Sequence, residues 1–140
     1  MKNETKKIES KWWRIEVPHD WRVDETRSGK ILYTPLRSQI EIFCIKSDVG
    51  DITVNDFETY AFNRAKDEVE LTIIAPSYLY SKIEQYGGDF KKTRWGVGFE
   101  SYLLVVTYQS ELDESSRNEI EVIDQIIRNV KFLNQSGLAV

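Results

Sequence analysis

The chain has 140 residues, which is the length of one ordinary domain, because two separate cores would each fall near the lower limit for stable folding. With 41% hydrophobic and 30% charged residues it is too apolar to be disordered. A net charge of −4 argues against a general binder of nucleic-acid phosphates. We therefore expect a single domain over residues 11–133, with loose termini at 1–10 and 134–140.

The N-terminus and the cysteine content bear on where the protein acts. No apolar segment follows the lysines of the first ten residues, and no stretch reaches the roughly 18 apolar residues of a membrane span. Cys44 is the single cysteine, so it cannot form an intramolecular disulfide, which favours a reducing compartment. These features predict a cytoplasmic protein without a membrane partner.

The first half of the chain alternates between apolar and polar residues, the pattern typical of β-strands. Strands are predicted over 11–17, 21–23, 31–34 and 40–46. The period then changes: Thr53-Val54-Asn55-Asp56 has the composition of a helix N-terminus, and the apolar residues after it recur at helical spacing. This pattern predicts a first helix over 54–68.

The second half is predicted to contain strands at 78–84, 92–100 and 102–110 and a terminal helix over 116–131. Residues 102–108 are apolar on both faces, so this strand needs cover on both sides of its sheet. Ser116 and Glu119 have the spacing of a capping box at the start of the helix. Its buried stripe is predicted to consist of Ile120, Ile123, Ile127 and Val130.

Several local signatures, taken in order, resemble those of a known superfamily. The first, Val17-Pro18-His19-Asp20-Trp21, is an apolar strand end followed by proline, a short turn and tryptophan. It is followed by the helix start at Thr53 to Phe57, by the strands around Trp95 and 102–108, and by the helix end at Asn129 to Phe132. The chain resembles the PsbP-like superfamily, which also holds the Ran nucleotide-release factor, and is predicted to be a small bacterial member. The resemblance implies an α+β fold in which an antiparallel β-sheet is sandwiched between helices (α/β/α). It implies little about activity.

The sequence contains few residues that could form a catalytic or cofactor-binding site. His19 is the single histidine, which excludes a histidine-rich metal site, and its place in a turn favours a structural role. Cys44 alternates with apolar residues in a strand, as buried structural cysteines do. Gly96-Val97-Gly98 lacks the third glycine of a dinucleotide site, and we expect these glycines to let aromatic side chains lie across the strand. No catalytic residue, metal or cofactor is predicted.

Aromatic and acidic residues are the candidates for a contact surface. Trp12 and Trp95 are of the residue type that dominates binding hot spots. Glu111, Asp113 and Glu114 cluster at the start of the last helix, where they either complement the helix dipole or form an acidic patch for a basic partner. These residues predict a non-enzymatic protein-binding module, a monomer or weak dimer, such as an adaptor or an immunity-type protein that blocks a toxin. The alternative is a small-ligand-binding protein or enzyme that uses a pocket between sheet and helix.

Overall fold

The computed structural model describes residues 4–62, 70–111 and 114–133, and of Glu111 and Glu114 it describes the backbone alone. The helical elements in this part of the chain are α1 (Val54–Asp56), which continues as a π-helical turn over Phe57–Ala61, and α2 (Glu114–Arg128). The strands are β1 (Thr5–Glu9), β2 (Trp13–Pro18), β3 (Arg22–Glu25), β4 (Gly29–Tyr33), β5 (Gln39–Lys46), β6 (Thr72–Ile74), β7 (Tyr78–Gly87), β8 (Phe90–Phe99), β9 (Tyr102–Glu111) and β10 (Lys131–Phe132). No helix among these residues is long and apolar enough to cross a membrane.

The strands form two antiparallel sheets, which confirms the prediction of an antiparallel sheet. The large sheet has seven strands in the order β3-β4-β5-β9-β8-β7-β6, and the small sheet has three in the order β1-β2-β10. In the large sheet, Val106 at the centre of β9 pairs with Ile42 of β5 on one side and with Trp95 of β8 on the other. The strand predicted to need cover on both faces is therefore central in the large sheet.

We call the two sides of the large sheet face A and face B. On face A, Leu104 and Val106 share a core with residues of α2 and of the small sheet. On face B, Leu103 and Val105 pack against the segment that contains α1 and the π-helical turn. All four side chains are buried, which confirms that this strand is covered on both sides.

The predicted sandwich of helices around the sheet (α/β/α) is wrong. Of the described residues, 53% lie in strands and 18% in helices, and α2 shares face A with a second sheet. On face B the helix predicted over 54–68 ends at Ala61, and residues 63–69 lie outside the described part of the chain. The N-terminal residues expected to be loose instead form β1, because Ile8 is buried and pairs with Ile15 of β2.

The N-terminus of α1 is formed as predicted, whereas that of α2 is not. The helix N-terminus predicted at Thr53 is confirmed, and it forms a capping box in which Asp56 Oδ2 accepts a hydrogen bond from the Thr53 N–H at 2.8 Å. The capping box predicted at Ser116 is wrong, because α2 begins at Glu114. The Glu119 carboxylate is buried and accepts a hydrogen bond from the Tyr108 hydroxyl of β9. The side chain expected to cap the helix therefore fastens it to the sheet.

The apolar stripe of α2 and the glycines of β8 are both as predicted. Ile120, Ile123 and Ile127 are buried on α2. Val130 is also buried, but it follows the helix, because α2 ends at Arg128 and not at residue 131 as predicted. A Cβ added at Gly96 would lie 2.8 Å from the ring of Phe57, so a glycine at this position lets the aromatic ring rest directly on the strand.

Candidate functional site

A polar groove lies at one end of the large sheet, where the loop between β4 and β5 approaches the first turn of α2. Its volume is about 790 Å³, within the usual range for ligand-binding clefts. The groove is lined by Leu36, Arg37, Ser38, Gln39, Glu41, Lys92, Thr107, Gln109, Ser110, Ser115 and Ser116. Loop, strand and helix residues thus surround one concave and predominantly polar surface, which we call the polar groove.

Strand alternation explains why so many polar side chains meet in the polar groove. Gln109 of β9 pairs with Lys92 of β8, and Thr107 of β9 pairs with Glu41 of β5. Paired residues in adjacent strands project from the same side of a sheet. These four residues therefore extend face B beyond the part that α1 and the π-helical turn cover.

The loop between β4 and β5 holds Arg37 in an unusual backbone conformation. Arg37 has a φ of 65°, in the left-handed region that favours glycine, and its N–H donates to the carbonyl oxygen of Thr34 at 2.9 Å. The loop is closed by a second bond, in which the Thr34 N–H donates to the carbonyl oxygen of Ser38 at 3.1 Å. A side chain in this region costs about 1 kcal/mol relative to glycine, so packing stability does not explain an arginine here.

The charged side chains of the polar groove lack charged partners. Within the described residues, Arg37, Glu41 and Lys92 make no ion pair. The neighbouring Lys91, on face A, behaves differently, because its ammonium lies 3.1 Å from Glu84. Burial alone would raise the pKa of Glu84, but Lys91 outweighs that effect and lowers it. The charges in the groove therefore remain available for a binding partner.

The lining of the polar groove includes a buried hydroxyl without a hydrogen-bond partner in the described part of the chain. The Ser110 Oγ has no partner among the described residues, although the side chain is almost fully buried. An unsatisfied buried hydroxyl costs about 1–3 kcal/mol of stability.

A smaller apolar pocket adjoins the polar groove on the side of α2. Its volume is about 340 Å³, and Leu36 and Ser115 line both cavities. Its lining includes Trp21, which is buried, whereas Leu36 is 57% exposed and Val122 is 44% exposed. We call it the Trp21 pocket. Exposed aliphatic side chains around a buried aromatic ring are typical of a contact surface.

The first half of α2 borders both cavities, and hydrogen bonds to face A fix its position. Burial raises the pKa of Tyr108 to about 12, and the hydrogen bond to Glu119 adds to the effect. Further along the helix, Asp124 accepts hydrogen bonds from Tyr80, from Arg128 at 2.8 Å and from the Trp95 ring nitrogen at 3.0 Å. Burial alone would raise the pKa of Asp124, but these three donors outweigh it and lower it.

The residues predicted as partner contacts are not brought together. Trp95 of β8 is completely buried beneath α2 and presents no surface to a partner. Trp12 is half-buried beside Tyr102, with ring centroids 5.2 Å apart, and lies outside both cavities. Glu111 ends β9 and Glu114 begins α2, but their side chains are not described, and Asp113 lies outside the described residues. A partner-binding role for the acidic residues stays a prediction.

The two residues considered for catalysis lie in different surroundings. His19 is exposed in the turn after β2. Cys44 packs against the core of face A, and burial raises the pKa of its thiol to about 12, which disfavours the reactive thiolate. No group of three or more His, Cys, Asp or Glu side chains suited to a metal ion occurs in the described part of the chain.

Most of the residues that form the two cavities were not identified from the sequence. Trp21 belongs to the motif that resembles the PsbP-like superfamily, but no local sequence pattern singles out Arg37, Glu41 or Lys92. The available signal was the change from apolar to polar residues along β5 and β9. That change becomes meaningful when the strand register shows that the polar ends are adjacent.

Comparison with known proteins gives information on the fold. No protein-family model matches the chain, and no curated protein matches it. A crystal structure from Bacteroides thetaiotaomicron VPI-5482, determined at 1.50 Å resolution, is similar, with a TM-score of 0.63 and 14% sequence identity. The similarity covers 89% of this chain and 46% of that one, so the chain spans less than half the length of that protein. The likeness establishes the fold alone, and membership of the PsbP-like superfamily stays a prediction.

Proposed function

We propose that this domain is a non-enzymatic protein-binding module and that the polar groove and the Trp21 pocket together form its contact surface. The observation that carries the proposal is the combination of unpaired charges and exposed aliphatic side chains around two adjoining cavities. Protein contact surfaces combine an apolar centre with a polar rim in this way. The single cysteine fits action in the cytoplasm.

The second candidate is a small-ligand-binding protein, and the volume of the polar groove favours it. About 790 Å³ is large enough for a small molecule. The exposed Leu36 and Val122 beside the groove favour a protein partner instead, because aliphatic side chains at such positions gain most when a second protein covers them. An immunity-type or adaptor role is one specific form of the protein-binding proposal.

Site-specific photo-crosslinking separates these two candidates. A photo-reactive amino acid placed at Gln109 in the polar groove is expected to trap a discrete protein partner in the native host. The same amino acid at Lys131, exposed on β10 and outside both cavities, is the matched control and is expected to trap no such species. A small molecule that copurifies with the unmodified domain, without a crosslink at Gln109, would instead support the ligand-binding candidate.

A further inference from the structure

We infer that the partner supplies a peptide segment with an acidic side chain that binds between Arg37 and Lys92 and a large apolar side chain that enters the Trp21 pocket. This inference rests on the proposed function and adds to it the chemistry of the partner.

The charge balance of the polar groove selects the acidic side chain. Arg37 and Lys92 contribute two positive charges, and neither has an ion-pair partner among the described residues. Glu41 contributes one negative charge. Arg94 projects on the same face as Lys92, two residues further along β8, and likewise makes no ion pair there. Among the described side chains that line the polar groove, two positive charges therefore stand against one negative charge. Guanidinium and ammonium groups that lack partners favour a carboxylate.

The conformation of Arg37 supports a binding role for its side chain. Glycine would occupy a φ of 65° without strain, yet the position carries a long cationic side chain at the rim of the groove. Strained residues of this kind cluster at binding sites, where the surrounding structure holds them in place. The hydrogen bonds that close the loop provide that support.

The Trp21 pocket selects the apolar side chain. Its apolar lining consists of Pro18, the buried Trp21 and the exposed Leu36 and Val122. Its other lining residues are Ser115, Asn118 and Glu119. Because Leu36 and Ser115 line both cavities, residues close together in one segment can fill the pocket and the groove at the same time. One continuous segment therefore satisfies both requirements.

A phage-displayed library of random 12-residue peptides tests this inference with the full chain as bait. Enriched peptides are expected to combine Asp or Glu with Leu, Ile, Phe or Trp. Synthetic versions of these peptides should bind Lys92→Glu and Leu36→Ser at least about tenfold more weakly than the unaltered chain. Matched controls are Lys7→Glu on β1 and Val49→Ser, whose side chain is 97% exposed; both lie outside the two cavities and should change affinity less than about twofold.

The outcomes separate this inference from the proposed function. Enriched peptides that are basic, or that lack acidic residues, but still lose affinity in Lys92→Glu and Leu36→Ser would overturn the inferred chemistry and leave the contact surface intact. Peptides whose binding is unaffected by both variants, or a library without enrichment, would overturn the inference of a linear segment. The crosslink at Gln109 then reports on the proposed function independently.

Discussion

The two ends of face B present opposite chemistry on the same strands. At one end, Gly96 and Val105 lie beneath the Phe57 ring and the segment that follows α1. At the other end, Lys92 and Gln109 line the polar groove, although they belong to the same two strands, β8 and β9. The covered end makes close contact with an aromatic ring, whereas the open end carries long polar side chains.

The difference separates residues that the fold needs from residues available for function. A glycine under a buried ring leaves little freedom, because any larger side chain would displace the ring. An exposed glutamine in a groove is free of that constraint. The comparison therefore predicts large effects on stability from substitutions at the covered end and large effects on binding from substitutions at the open end.

The largest expected effect is at Phe57, which is fully buried. Phe57→Ala should lower the free energy of unfolding by about 3–5 kcal/mol, because it removes a ring that fills the space between face B and its cover. Gln109→Ala, on the same face at the open end, should change it by less than about 0.5 kcal/mol. Urea denaturation measures both, and similar losses in the two variants would show that the open end also supports the fold.

A smaller effect is expected at the glycines beneath that ring. A Cβ at Gly96 would lie 2.8 Å from Phe57 and 3.3 Å from Ala61, whereas at Gly98 the nearest contact is 3.1 Å from Ile52. Gly96→Ala should therefore destabilise the domain by about 1–3 kcal/mol, the usual cost of overpacking. Gly98→Ala should cost less. The reverse order of melting temperatures would mean that the Phe57 ring moves away from Gly96 more easily than Ile52 moves away from Gly98.

The same contrast separates the features that could be predicted from the sequence from those that could not. The strands around Trp95 and Val106, the stripe of α2 and the role of Gly96 follow from local periodicity and side-chain size, and all were predictable. The small sheet was not, because β1 has a single buried residue, Ile8, and pairs with a strand whose own pattern gives no hint of a partner. The groove depends on long-range register in the sheet and on the conformation of Arg37, which no local pattern encodes.

The cover on face A depends on charge, and its stability should change with pH. The pKa of Asp124 is lowered in the folded state, so its stabilising contribution is present above the unfolded value of about 4 and is lost as the pH falls through the folded value. Asp124→Asn should cost about 1 kcal/mol at pH 7, a modest value because solvent screens the pair with the exposed Arg128. Its difference from the unaltered chain should shrink toward pH 3.

Urea titrations at pH 7 and pH 3 measure that change, with the exposed Asp48→Asn as the control for loss of a surface carboxylate. A penalty for Asp124→Asn that stays constant between the two pH values would show that hydrogen-bond geometry, and not the charge, accounts for its role.

The smallest expected effect is the most direct test of the open end. Arg37 and Glu100 are non-glycine residues with positive φ, of 65° and 52°. Arg37→Gly and Glu100→Gly should each raise the free energy of unfolding by about 0.5 kcal/mol, because relief of about 1 kcal/mol of strain is partly offset by the greater freedom of glycine in the unfolded chain. Calorimetry resolves a shift of this size in the melting temperature.

Because Glu100 lies in the turn between β8 and β9, outside the groove, Glu100→Gly should leave peptide binding unchanged, whereas Arg37→Gly should weaken it. Equal binding by both variants would show that Arg37 has no role in the groove, and the strain at that residue would then have no functional explanation.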